Sequence, residues 1–140
     1  MTHKDRSNQH TGGCYCGKVR YTTSGELPDI IVCHCTQCRR QSGHQYSTTL
    51  TRHNQVVIFG DEHITWFNAT KAARRGFCSQ CGSHLFWLNN HGDLAIMAAS
   101  IDEPSGLKVA SHIFTADKGD YYEILDDLPH YERYPPPDLM

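Results

Sequence analysis

The chain has no long apolar run. Nowhere in its 140 residues does it approach the roughly 18 consecutive apolar residues that a membrane-spanning helix needs. The first eleven residues are polar and lack the apolar stretch of a secretory signal. These absences predict a protein that does not enter a membrane, with the reducing cytoplasm as its compartment. An excess of one charge is also missing. Thirteen Lys and Arg stand against fifteen Asp and Glu, a formal net charge of -2. That balance excludes a strongly basic nucleic-acid binder, so nucleic acid is not expected as a partner. Sustained helical periodicity is the third absence: no segment repeats apolar residues at i, i+3, i+4 and i+7 for three turns.

What is present is turn punctuation. Eleven glycines and six prolines recur at short intervals from Gly12 onward. Between them lie short runs rich in β-branched and aromatic residues, at 19–23, 30–32, 45–51, 55–59, 63–67, 84–88, 93–100 and 108–114. Many short strands separated by turns predict a mainly β domain. Alternation is clearest at Lys18-Val19-Arg20-Tyr21 and His63-Ile64-Thr65-Trp66. Trp66 and Phe67 are adjacent, so in a strand they face opposite sides and only one is core. Residues 35–42 and 70–75 are the two candidate helical turns. The expected organisation is a flexible tail over residues 1–11, one domain over 12–136 and a short tail over 137–140. Residues 117–140 hold seven acids and two bases, an acidic, tyrosine-rich segment expected to pack across the domain through Tyr121, Tyr122 and Tyr131.

Seven cysteines carry the chemistry, and seven is odd, so intrachain disulfides would leave one thiol over. All seven fall in three motifs: Cys14-Tyr15-Cys16, Cys33-His34-Cys35-Thr36-Gln37-Cys38, and Cys78-Ser79-Gln80-Cys81. Zinc takes four thiolates at ~2.3 Å in a closed structural site, and three in a site left open to water or substrate. Two thiolates from one tight turn can meet that shell, and glycines beside them permit the turn. Spacing alone allows two partitions. Cys14, Cys16, Cys78 and Cys81 can close one site while Cys33, Cys35 and Cys38 make an open one. Alternatively, Cys33 or Cys35 joins Cys38, Cys78 and Cys81 as in a zinc ribbon. A redox C-x-x-C is disfavoured because no βαβ context surrounds it.

The segments GGCYCGKVRY, CHCTQCRRQSG, RRGFCSQCGSHLFW and HIFTADKGDYYEILDDLPHYERYP resemble the glutathione-dependent formaldehyde-activating family, which also includes centromere protein V. The resemblance implies a zinc-bearing β-tent fold with short helical turns. It implies a structural zinc on Cys14, Cys16, Cys78 and Cys81, and a catalytic zinc on Cys33, Cys35 and Cys38. It further implies a carbon–sulfur lyase acting on glutathione or a related thiol adduct, such as S-(hydroxymethyl)glutathione formed from glutathione and formaldehyde. The competing expectation is a non-catalytic zinc-stabilised binding module or a carrier of glutathione adducts.

Other residues invite a role beside the thiolates. Arg39, Arg40, Arg74 and Arg75 flank the motifs and are candidates for the two carboxylates of glutathione, or for simple charge compensation. His44, His84 and His112 are candidates for a fourth ligand or a proton carrier, with a structural role favoured for each. His34 lies between two cysteines, and in an extended C-x-C its side chain points away from them. Tyr46, Phe86 and Trp87 read as core packing.

Overall fold

A computed structural model describes residues 8–135. Residues 1–7 of the expected N-terminal tail, residue 136 and the expected C-terminal tail over 137–140 lie outside the described residues. The protein is mainly β, with ten strands and one α-helix among the described residues. No helix in them is long and apolar enough to cross a membrane. The chain separates into two compact units, each built from two stretches of sequence. Unit 1 takes residues up to 28 together with 49–107, and unit 2 takes 29–48 with the residues from 108 onward.

Unit 1 begins with β1 (Gln9–Gly13), which pairs antiparallel with β2 (Arg20–Ser24). Gln9, His10 and Thr11 therefore form strand inside the segment expected as tail. The reason is bonding to residues distant in sequence: the His10 amide donates to Thr23 Oγ1 at 3.1 Å, and its buried ring bonds the Ser105 carbonyl at 2.9 Å. On its other edge β2 pairs with β5 (Val56–Phe59), completing a three-stranded antiparallel layer.

The second layer of unit 1 is an antiparallel run of β6 (Ile64–Phe67), β7 (Ala73–Cys78), β8 (His84–Asn89) and β9 (Asp93–Met97). Trp66 packs on the core with its ring stacked 6.2 Å from Phe86, while Phe67 is exposed, as alternation requires. Residues 70–75 do not form a helical turn, because β7 begins at Ala73 and hydrogen-bonds on both edges. Its Arg74 lies over the Trp66 ring at 4.7 Å, a contact worth ~0.5–1 kcal/mol at an exposed site. The β7–β8 register slips between Gly76 and Phe77. A Cβ at Gly76 would sit 2.9 Å from the Trp66 ring, so only glycine fits at that slip. Leu85 and Phe86, consecutive and both buried, lie on β8 opposite that slip.

The core of unit 1 gathers Val19, Tyr21, Leu27, Leu85, Phe86, Leu88, Leu94, Ile96 and Ile101 around Cys14 and Cys78. Each large aliphatic side chain buried there contributes ~1.5–3 kcal/mol. Two of the seven cysteines are thus core residues of this unit.

In unit 2, β3 (Ile30–Cys33) pairs parallel with β10 (Val109–Ile113) and antiparallel with the start of β4 (Tyr46–Arg52). Helix α1 (Thr36–Ser42) joins β3 to β4. The parallel pairing places Ile113 opposite Cys33 and His112 opposite Val32. It thereby fixes the strand end from which the C-x-C-x-x-C motif departs.

Candidate metal centres

Cys14, Cys16, Cys78 and Cys81 converge in unit 1, with their sulfurs all within 4.8 Å of one another. The first pair lies in the turn between β1 and β2. Gly17 takes a positive φ of 83° there, its amide bonding the Cys14 carbonyl at 3.2 Å. The second pair lies in the turn between β7 and β8. Gly82 plays the same part with φ 79°, its amide bonding the Cys78 carbonyl at 2.8 Å. In each turn a backbone amide also points at a sulfur: Val19 N to Cys14 Sγ at 3.3 Å and Gln80 N to Cys78 Sγ at 3.4 Å.

The sulfur spacing identifies what the group can be. Cys14 and Cys16 are 3.6 Å apart and Cys16 and Cys78 3.8 Å apart. A disulfide requires about 2.05 Å. Four sulfurs placed tetrahedrally at ~2.3 Å from a central ion are ~3.8 Å from one another. The group therefore fits a tetrahedral ion held by soft donors. Within it the Cys81 thiol is pulled down to about 5, first by the Ser83 hydroxyl, which lies 3.2 Å from its sulfur.

Cys33, Cys35 and Cys38 form the second group, in unit 2, again with all three sulfurs within 4.8 Å. Each is fixed by a different local device. Cys33 ends β3 and is held between Ile113 and Tyr46 on the neighbouring strands. Cys35 is the N-cap of α1: its backbone is extended (φ -67°, ψ 156°) and its sulfur accepts from the Cys38 amide at 3.2 Å. Cys38 lies in the first helical turn and is buried. Gly43 ends the helix in the left-handed region, φ 92°, its amide bonding the Arg39 carbonyl at 2.8 Å. The Cys33 thiol is held far above its ordinary value by hydrogen bonding to Cys35 and Cys38, and then by burial. Three crowded sulfurs cannot all ionise without a cation among them.

His34, between two of these cysteines, turns its side chain into a separate buried network. Its Nδ1 lies 2.8 Å from the Tyr122 hydroxyl and its Nε2 2.8 Å from His112 Nδ1. His112 Nε2 in turn lies 2.9 Å from Asp126 Oδ2. A carboxylate only accepts, so His112 donates from Nε2, and a ring carrying one proton then accepts at Nδ1. His34 then donates from Nε2, and the Tyr122 hydroxyl donates to His34 Nδ1. Burial holds the His34 ring neutral, its pKa pushed down to about 4.

The other flanking residues are placed as follows. His112 belongs to this network, and His44 lies 2.7 Å from the Tyr121 hydroxyl. His84, on β8 of unit 1, stacks 6.3 Å from Phe77. None of these three histidines is in the three-thiol group. Arg39 donates to the carbonyls of His34 and Asp117 at 3.2 and 3.1 Å, which ties the acidic segment to α1. Arg40 is exposed on α1, Arg74 lies over Trp66 and Arg75 is buried. Phe86 and Tyr46 are core residues and Trp87 is half-buried. The sequence reading missed Asp126 and His130. Their only local signal is a carboxylate and an imidazole four residues apart.

Comparison with known proteins fits this geometry. A crystal structure of a Rhodobacter sphaeroides protein has the same fold, with a TM-score of 0.56 at 20% identity. It covers 86% of this chain and 98% of its own. An uncharacterized lyase of Schizosaccharomyces pombe is 23% identical over 84 residues, which span 60% of this chain and 61% of that relative. The family model for glutathione-dependent formaldehyde-activating enzyme matches residues 9–117, a stretch that takes in both cysteine groups. With that match across most of its length, the chain belongs to the glutathione-dependent formaldehyde-activating family.

Proposed function

We propose that the protein is a zinc-dependent carbon–sulfur lyase acting on glutathione or a related thiol adduct. In this reading Cys14, Cys16, Cys78 and Cys81 hold a structural zinc, and Cys33, Cys35 and Cys38 hold the catalytic one. The observation that carries it is the three-thiol group, which offers three soft donors and not four. Cys33, Cys35 and Cys38 would hold the ion with a position left open, and its chemistry there would be that of a thiophilic Lewis acid favouring the ionised form of a substrate thiol.

The reaction is the reversible addition of glutathione to formaldehyde. The thiol sulfur bonds the carbonyl carbon, and the thiol proton ends on the carbonyl oxygen to give S-(hydroxymethyl)glutathione. The chain's own part is positioning. β3 and the α1 cap hold the three sulfurs in place before substrate arrives. Arg39 is engaged by backbone carbonyls, which leaves the exposed Arg40 as the guanidinium on α1 for a substrate carboxylate. A reducing cytoplasm would keep the seven thiols available for metal.

Zinc content and exchange NMR with glutathione and formaldehyde test the reading. Two thiol-bound zincs per chain are expected, one in Cys35→Ser, with faster exchange only in the wild type. A single zinc in both proteins would instead favour a zinc-stabilised binding module. Exchange no faster than the uncatalysed rate would remove formaldehyde as the substrate.

A further inference from the structure

The geometry points to a third metal site, on His112, Asp126 and His130 of unit 2, which takes a divalent first-row cation through two imidazoles and a carboxylate. The three donor atoms lie within 4.8 Å of one another. Asp126 Oδ2 is 2.9 Å from His112 Nε2, and Asp126 Oδ1 is 3.4 Å from His130 Nε2. Bonds of ~2.0–2.1 Å place neighbouring ligand atoms about 2.9–3.4 Å apart, from octahedral to tetrahedral coordination. The two carboxylate–imidazole spacings fall in that range, and the two imidazole donors lie within 4.8 Å of each other.

Two further observations distinguish this trio from a chance surface cluster. His112 is buried, and its second ring nitrogen is held by His34 Nε2 at 2.8 Å. Metal-bound histidines characteristically donate from their other nitrogen to a fixed neighbour, and His34 stands at that position. Asp126 is oriented too, its Oδ1 accepting from the Leu128 amide at 3.0 Å. The Asp126 and His130 side chains remain 44% and 37% exposed, so an ion can enter and keep water in its remaining positions. Imidazole with carboxylate suits zinc, nickel or copper(II).

Binding has a local signature. Coordination takes the His112 Nε2 lone pair, so the ring's single proton moves from Nε2 to Nδ1. His112 then donates to His34, and the direction of the Tyr122–His34–His112 chain reverses with every ring keeping one proton. This inference uses no cysteine and stands apart from the proposed reaction.

The test starts from full-length protein whose cysteine groups are already filled with zinc, with thiol-bound zinc counted beforehand. Further Zn²⁺ is added by calorimetric titration, and the imidazole nitrogens are followed by long-range ¹H–¹⁵N NMR. One additional zinc per chain is expected, with the His112 proton moving to Nδ1. His130→Ala alters an exposed residue, and Asp126→Asn keeps the side-chain shape. Each should weaken the added zinc by tenfold or more while leaving the thiol-bound zinc count unchanged. No binding beyond the thiol-bound zinc, or added binding that both variants leave unchanged, would overturn the site.

Discussion

Cys35 has two jobs that substitution can separate. Its sulfur is a donor in the three-thiol group, and it also caps α1 by accepting from the Cys38 amide at 3.2 Å. Serine is among the best N-cap residues, whereas alanine at a cap costs ~1 kcal/mol. Cys35→Ser should therefore lose one zinc and keep the helix start, and Cys35→Ala should lose both. Compared at equal zinc, neither variant fills the three-thiol group, so their difference isolates the cap. With a urea slope of ~2 kcal/mol per molar, Cys35→Ala should unfold about 0.5 M earlier than Cys35→Ser. Cys78→Ser should behave differently. Cys78 is fully buried in the core of unit 1, and structural zinc sites contribute ~10–16 kcal/mol, against a whole-domain stability of ~5–15 kcal/mol. That variant should show no cooperative transition. Urea denaturation followed by circular dichroism, with zinc content measured on the same samples, reads all three. Equal midpoints for the serine and alanine variants would refute the cap. A Cys35→Ser protein as unfolded as Cys78→Ser would refute the division of the cysteines.

Two other expectations concern unit 1. The Asp102 carboxyl is held below its usual range, first by the hydrogen bond from Arg20 and then by Thr11. A depressed folded value stabilises above about pH 4 and fades as pH falls further, so Asp102→Asn should narrow the stability gap between pH 6 and pH 3. Urea midpoints at the two pH values check this, and an unchanged gap would show the pair to be inert. Gly60 has φ 80°, and a Cβ there would run into the Lys18 carbonyl oxygen. Gly60→Ala should cost at least ~2 kcal/mol and lower Tm by several degrees, whereas an unchanged Tm would mean that the turn relaxes freely.

The cysteine motifs were the most legible part of the sequence, because metal donors on tight turns leave a short-range record in spacing and glycine. Most strands were legible from β-branched runs between turns. β7 was not, because Arg74, Arg75 and Gly76 do not alternate, and the strand exists through pairing on both edges and the ring of Trp66. β1 was missed for a similar reason: His10 is polar, and its burial depends on Thr23 and on the Ser105 carbonyl, 95 residues away. The histidine network escaped as well. His34 meets His112 across 78 residues, and no local pattern encodes a parallel pairing of that reach. The division into two units, each from two separate stretches, is equally a product of long-range contacts.

The same discontinuity has a consequence for synthesis. Unit 2 starts at residue 29 and is completed only by residues from 108 onward, with Lys108 bonding Asp29 across 79 residues. At ~5–20 residues per second, the ribosome needs about 4–16 s to span that gap. Cys33, Cys35 and Cys38 are made early in the interval and wait without β10, while unit 1, which already holds Cys14 and Cys16, receives Cys78 and Cys81. The nascent chain thus completes its four-thiol group as unit 1 is completed, and the three-thiol strand end acquires its parallel partner last.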